Sequence, residues 1–360
     1  MTAKADALAF LPEEMRTFIA DLGWEPYRAD QIFKRLHAKM ASSIDEISEL
    51  SLAMRALLKQ KAVIEHPVIA GRTVSREEAT VKFLLRLADG KNIEAVLMHY
   101  NKRSSLCISS QVGCPLGCSF CATGAMGFSR NMTASEIVGE IYVVAKALGR
   151  RINNILYMGM GEPFYNYEAV MRSIRLLTAP EGYGLSQRQI TVSTCGIVPE
   201  IKRLATEGIQ IRLAVSLHAA TDEVRSTIMP VNRVYPLSVL ISACKEYQAG
   251  TGRRITFEYT VIPGVNDGPD QIRALAVLLK GLKYHINVIP LNPAGGGRPG
   301  LREALLFSKA LDSAGLIYTL RQSRGTTVGG GCGQLAGDKT FSARQPEQDR
   351  KEDKKRWLKK

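Results

Sequence analysis

Three cysteines, Cys114, Cys118 and Cys121, share the short run Gly-Cys-Pro-Leu-Gly-Cys-Ser-Phe-Cys. Their spacing is C-x3-C-x2-C, with Phe120 directly before the last thiol. Four thiolates would fill a zinc site or complete a cubane cluster. Three thiolates can hold a [4Fe–4S] cluster by three of its irons and leave the fourth iron open. An open iron can bind a substrate, which turns an electron carrier into a catalyst. A four-cysteine zinc or ferredoxin-like set is the alternative, with Cys107 as the fourth ligand. Zinc loops usually come as two separated pairs, and the chain has no second pair. His99 and His218 lack zinc-finger spacing.

Other polar groups fall where strands are expected to end. Met158-Gly-Met-Gly-Glu-Pro163 follows a buried strand, and its glycines let the backbone approach a ligand closely. Gly161 and Glu162 stand there, and the Glu162 carboxylate could accept from an ammonium group. Ser193 ends one strand, Ser216, Leu217 and His218 end another, and Asn292 follows a third. Such groups at equivalent strand exits point to a shared binding rim. Cys332 lies in Val-Gly-Gly-Gly-Cys-Gly-Gln-Leu-Ala-Gly337. A thiol flanked by glycines on an exposed, mobile backbone is a nucleophile candidate. Cys244 sits on an apolar helix face and reads as structural, and Cys195 fits either role. Cys107 is either a packed strand residue or a thiol within reach of the cluster loop. Glu94 lies inside the apolar run Ile-Glu-Ala-Val-Leu, and the strand alone favours a solvent-facing carboxylate.

The elements that carry these residues alternate. Residues 1 to about 70 read as helical, with Ile32, Phe33 and Leu36 at helical spacing and Arg28, Lys34, Arg35 and His37 on the face between them. That face is either a solvated surface or an RNA contact. Residues 81–87 and 92–100 form a hairpin around Asp89-Gly90. Thr133-x-x-Glu136 is a capping box that opens the helix after the cluster loop. Strands and helices then alternate to residue 321, which predicts an α/β fold with a parallel sheet closing into an incomplete barrel. Catalytic groups gather at the C-terminal strand ends of such a barrel. The expected units are a helical domain over 1–75, a hairpin extension over 76–104, a core over 105–337 and a basic, disordered tail over 338–360.

The chain has 360 residues and a charge surplus of 48 − 34 = +14, which suits a polyanionic partner. No signal peptide and no run of roughly 18 apolar residues is present, so membrane association is not expected and the seven cysteines read as cytosolic, reduced thiols.

The C-x3-C-x2-C spacing resembles that of radical S-adenosylmethionine (SAM) enzymes. Further blocks extend the likeness: Ile93-Glu94, Leu106-Cys-Ile-Ser-Ser-Gln-Val-Gly-Cys114, Gly161-Glu-Pro163, Ser216-Leu-His218, Pro263-Gly-Val-Asn-Asp267, Arg321-Gln-Ser-Arg-Gly325 and Cys332-Gly-Gln-Leu-Ala-Gly337. From about Tyr27 to Gly337 the chain resembles the RlmN/Cfr family, radical SAM RNA methyltransferases that act on adenine in ribosomal RNA. The resemblance implies a partial (β/α)6 TIM-like barrel behind a small N-terminal helical domain. It implies one [4Fe–4S] cluster on Cys114, Cys118 and Cys121. It also implies two SAM molecules per turnover, held by Gly161, Glu162, Ser193, Ser216, Leu217, His218 and Asn292. It makes Cys332 the S-methylcysteine intermediate, Glu94 the proton acceptor and Cys107 a resolving thiol that forms a transient disulfide with Cys332. For Glu94 this reverses the solvent-facing expectation. The implied substrate is C2 of an adenosine in 23S rRNA near the peptidyl transferase centre, with C8 of the same adenosine as the alternative. Gly161-Glu-Pro163 followed by Asn166, and Arg321-Gln-Ser-Arg-Gly325, resemble the C2 branch. Some C2 members also modify the adenosine 3′ to the anticodon in tRNA, and the sequence does not decide this for the present chain. The remaining implied partner is a flavodoxin- or ferredoxin-type electron donor, acting on a monomer. Gly329-Gly-Gly331 departs from the bulkier residues usual before the loop cysteine, which concerns loop stiffness and not the thiol.

Overall fold

The computed structural model describes residues 4–77, 79–101, 103–292, 300–322 and 324–336. The expected tail over 338–360 lies outside the described residues.

The N-terminal layer is built from α1 (Pro12–Asp21), α2 (Tyr27–Phe33) and α3 (Leu52–Lys61). Pro12 suits the first turn of α1, where its missing N–H removes no helical bond. Ile32, Phe33 and Leu36 are buried, as their spacing predicts. His37 is a correction to the basic face: it is fully buried, stacked near Phe33, with Nδ1 2.9 Å from Tyr142 Oη. Of the remaining cations on that face, Arg35 pairs with Glu49 at 2.9 Å, and Arg28 donates to Glu49 O at 2.8 Å.

Ten strands form one sheet: β1 (Val68–Ser75), β2 (Thr80–Arg86), β3 (Asn92–Tyr100), β4 (Arg103–Ile108), β5 (Asn154–Tyr157), β6 (Ile190–Thr194), β7 (Arg212–Ser216), β8 (Ile255–Val261), β9 (Tyr284–Pro290) and β10 (Tyr318–Leu320). Their spatial order is β10-β9-β8-β7-β6-β5-β4-β3-β2-β1. From β4 to β10 every pairing is parallel, and β1 to β4 is antiparallel. Among the described residues β10 and β1 are the sheet edges, so the barrel is open, as expected of a partial one. Residues 68–75 depart from the helical expectation. Their alternation is broken by a bulge between Ile69 and Gly71, which hides the strand from a period-two reading.

The helices follow the strands. They are α4 (Ala134–Leu148), α5 (Tyr167–Thr178), α6 (Val198–Thr206), α7 (Asp222–Ile228), α8 (Leu237–Thr251), α9 (Pro269–Leu278) and α10 (Leu301–Ser313). The predicted capping box is formed: Thr133 Oγ1 accepts from Glu136 N at 3.2 Å, and Glu136 Oε2 accepts from Thr133 N at 2.9 Å. Gly149 ends α4 in the left-handed region, where glycine has no Cβ to clash. Strands such as β8 are buried along most of their length, since helices and neighbouring segments cover both faces of a parallel sheet. No helix among the described residues is long and apolar enough to cross a membrane.

Candidate active site

The C-terminal ends of the parallel strands converge on one cavity. Cys114, Cys118, Cys121, Gly161, Glu162, Ser193, Ser216, His218 and Cys332 all line it. A second cavity shares Cys121, Arg321 and Cys332 with the first, and adds Cys107 and Asn292. The structure thus gathers in two joined spaces residues spread from position 107 to 332.

The cluster loop follows β4. It is flanked by a short ribbon of Gln111–Gly113 and Phe128–Asn131, and Cys121 caps a single turn, Ala122–Ala125. Burial pushes the Cys114 thiol up to about 12 and also raises Cys121. Cys118 is lowered, chiefly by a hydrogen bond with the Cys195 thiol. Buried thiols of this kind ionise against a positive centre and not against water. Cys195, left open by the sequence, therefore belongs to the site, whereas Cys244 is fully buried on α8.

Glu162 is almost fully enclosed. Its Oε1 accepts from Phe164 N at 3.0 Å and its Oε2 from Cys195 N at 2.7 Å. Burial raises its pKa, and the two amides offset part of that rise. The Thr194 and Cys195 side chains also hydrogen-bond to this carboxylate. Gly161 has φ +97°, and a Cβ there would meet Gln111 Cβ at 2.5 Å. Gly159 admits no side chain either, since its Cβ would lie 2.6 Å from Ile108 O. Both glycines are therefore required by close approach of the β4 and β5 exits.

At the next exits Ser193 Oγ lies 3.5 Å from Ser216 Oγ. His218 has φ 55°, a left-handed conformation uncommon outside glycine. Its Nδ1 accepts from Thr260 N at 2.9 Å, which leaves the ring proton on Nε2. Burial holds its pKa down to about 3, so the ring is neutral. Leu217 lines neither cavity: its side chain is in the core, its N donates to Glu258 O at 3.0 Å and its O accepts from Arg225 Nε at 3.0 Å. Asn292 donates to Cys332 O at 3.3 Å, and its buried Oδ1 has no partner among the described residues.

The segment carrying Cys332 is seated on the cluster loop. Ala122 N donates to Gly333 O at 2.8 Å, and Thr123 Oγ1 donates to Leu335 O at 2.6 Å. Cys332 itself is exposed and lines both cavities. Cys107 and Cys332 are free thiols here, so the disulfide implied by the resemblance is not formed in this structure. Burial pushes Cys107 up to about 12, with Cys332 adding to the rise and Arg321 opposing it.

Glu94 is fully buried, against the solvent-facing expectation from its strand. Oε1 pairs with Lys82 Nζ at 2.8 Å, and Oε2 accepts from Ala336 N at 3.0 Å. It lines neither cavity, although it shares the β3 face with Val96 and Met98, which do. The sequence reading did not single out Lys82, Thr123 or Arg225. Arg225 is fully buried and donates to Cys195 O at 2.7 Å, Ser216 O at 3.0 Å and Asn232 Oδ1 at 2.9 Å. It ties the β6 and β7 exits together. Only long-range contacts reveal such residues, and no local pattern marks them.

A thiol-bearing loop above the strand ends of an open parallel barrel is the architecture of a radical SAM enzyme. Residues 108–276 match the family model described as the radical SAM superfamily. Residues 6–64 match the ribosomal RNA large subunit methyltransferase N-terminal domain. A probable dual-specificity RNA methyltransferase RlmN from Moorella thermoacetica is 48% identical, over 93% of this chain and 98% of that protein. A dual-specificity RNA methyltransferase RlmN from Syntrophobacter fumaroxidans is 42% identical, over 91% and 97%. The crystal structure of a radical SAM methyltransferase from Sphaerobacter thermophilus superposes with a TM-score of 0.88 at 44% identity, over 93% of this chain and all of that one. The chain belongs to the RlmN family of radical SAM RNA methyltransferases.

A [4Fe–4S] cluster and SAM come with membership of the superfamily. The residues present fit both. Three thiols of one loop, Cys118 buried and Cys114 and Cys121 half-buried, face a common cavity, as a three-iron attachment requires. Beside them are a carboxylate, two glycines that bare the backbone, and an orphaned Asn292 oxygen that a polar ligand would satisfy.

Proposed function

We propose that this enzyme methylates C2 of an adenosine in 23S rRNA near the peptidyl transferase centre, and C2 of the adenosine 3′ to the anticodon in some tRNAs. The observation that carries the reading is the seating of the Cys332 segment on the cluster loop, with Cys107 across the same cavity. An ordinary SAM enzyme needs no thiol there. Adenine C2 is electrophilic and offers no nucleophile to a sulfonium, so a carrier must deliver the carbon.

Cys114, Cys118 and Cys121 would hold one cluster, and Gly161, Glu162, Ser193, Ser216, His218 and Asn292 would hold SAM. When bound, cluster and SAM supply a methyl group in one step and a hydrogen-abstracting radical in the next, so two SAM are consumed per turnover. Cys332 accepts the methyl group and carries its carbon to C2. Glu94 accepts the C2 proton once Ala336 has moved off Oε2. Cys107 attacks the Cys332 sulfur and breaks its bond to the transferred carbon, which keeps the electron pair and takes up a proton to become the methyl group; the disulfide left behind must be cleaved by a reductant. Arg321, beside both thiols, opposes the rise that burial imposes on Cys107. The N-terminal domain contributes to RNA contact, and electrons come from a flavodoxin- or ferredoxin-type donor to a monomeric enzyme.

The test is Cys332→Ala combined with mass mapping of the methyl position. The variant should still bind its cluster and release no methylated RNA. Product release from it, or a methyl group at C8 in the wild-type reaction, overturns the reading.

A further inference from the structure

A rim of guanidinium groups lies at the outer side of the thiol cavity, on residues the reaction above does not use. β3 ends at Tyr100 and β4 begins at Arg103, and these two residues pair across the hairpin. The Tyr100 ring is 37% exposed. Arg103 Cζ lies 5.1 Å from its centroid, and Arg324 Cζ lies 4.6 Å from it. Arg324 also donates to His99 O at 3.1 Å and borders the cavity that holds Cys107 and Cys332. On the far side, Arg150 Nη2 lies 2.5 Å from His99 Nδ1. His99 adds no charge, because burial holds its pKa down to about 4. Two cations, Arg103 and Arg324, therefore meet on one aromatic ring, and Arg324 also borders the thiol cavity.

We propose that Tyr100, Arg103 and Arg324 form a subsite for a single-stranded nucleotide flanking the target adenosine, with its phosphate on the guanidiniums and its base against Tyr100. The proposal rests on the reading that the substrate is RNA. The chain as a whole carries a charge surplus of +14, which suits an anionic ligand. A guanidinium lying over a ring presents its N–H edge sideways, in the fork geometry that fits a phosphate. Aromatic and arginine surfaces together are the usual platform for unstacked bases. The location is decisive. An adenine that reaches Cys332 must leave its own stack, and its neighbour's phosphate then passes this edge.

The experiment measures binding of a labelled 23S rRNA fragment spanning the target adenosine, over a range of salt concentrations. Tyr100→Ala should weaken binding roughly tenfold. Arg103→Gln and Arg324→Gln should each weaken it and lower the salt slope by about one. Arg324→Lys should keep the slope but recover part of the affinity. Tyr100→Ala and Arg103→Gln should cleave SAM without RNA at the wild-type rate and melt at the wild-type temperature. Unchanged binding in all three variants overturns the subsite while leaving the functional reading intact. Lost SAM cleavage or a lowered melting temperature would make the cluster a structural strut and overturn it too. A wild-type protein that neither binds nor methylates the fragment removes both.

Discussion

Glu162 and Glu94 are both buried carboxylates, one lining the thiol cavity and one set behind it, and they are held by opposite means. Glu162 accepts from two backbone amides, Phe164 N and Cys195 N, which belong to two different barrel units. Arg225 fixes the Cys195 carbonyl in turn. Those amides cannot leave without unfolding the rim. Glu94 accepts from a lysine and from the amide of Ala336, four residues beyond Cys332 in a glycine-rich segment. One of these donors is a side chain and the other lies outside the sheet, in the segment that carries Cys332. On the proposed roles, the rim carboxylate would be a fixture for binding SAM, and the hairpin carboxylate would be a base released once per cycle.

The largest effect should separate the two. Glu94→Gln is expected to lower RNA methylation by at least about a hundredfold, the usual contribution of a positioned base. A Cys332–RNA adduct should build up and appear on denaturing gels, while SAM cleavage without RNA persists. Glu162→Gln should instead depress SAM cleavage itself, because the new amide group faces a backbone donor. Parallel losses of both activities in both variants would erase the distinction.

Lys82→Met offers the next test. It leaves the Glu94 charge buried beside an apolar chain, at a cost of about 3–5 kcal/mol in chemical denaturation. The double change Lys82→Met with Glu94→Leu should regain most of that stability and none of the activity. An unaltered denaturation midpoint in the single variant would mean that the lysine does not hold the carboxylate.

The smallest effect is the response to acid. His37 in the N-terminal layer and His218 at the rim are both held down to about 3 by burial, below the ordinary value of 6.5. The unfolded chain then binds protons first as pH falls. Stability from each histidine is fully present above about 6.5 and is lost progressively toward 3, by up to about 1.4 kcal/mol per pH unit for each. His37→Phe should flatten the melting-temperature profile between pH 6 and 4 by about one proton's share. That variant should leave SAM cleavage alone, which separates the layer from the rim. An unchanged profile would show that His37 stays accessible to protons.

Much of this arrangement was legible in the sequence because its signals are local. Asp89-Gly90 marked the hairpin that pairs β2 with β3, and Thr133 with Glu136 marked the start of α4. The cysteine spacing marked a loop that does face the cavity. Other features were hidden for identifiable reasons. The bulge at Ile69/Gly71 broke the alternation of β1. Val170, Met171, Ile174 and Leu177 carry a helical stripe on α5 that the strand-to-strand reading passed over. His37 looked exposed because its neighbours are cationic, yet Tyr142, 105 residues away, takes its Nδ1. Glu94 read as a surface residue because its partner Lys82 lies on another strand and Ala336 lies 242 residues away. Polar residues buried by distant partners leave no periodic trace.

The two hydrogen bonds from Ala122 and Thr123 to the Cys332 segment carry a last consequence. The turn after Cys121 is also the shelf on which the Cys332 segment rests; on the proposed roles, cluster ligand and methyl carrier share one support. If oxidation were to strip the metal and slacken that turn, the segment would lose its support together with it. On the proposed roles, loss of the cluster would then also unseat Cys332 from beside it.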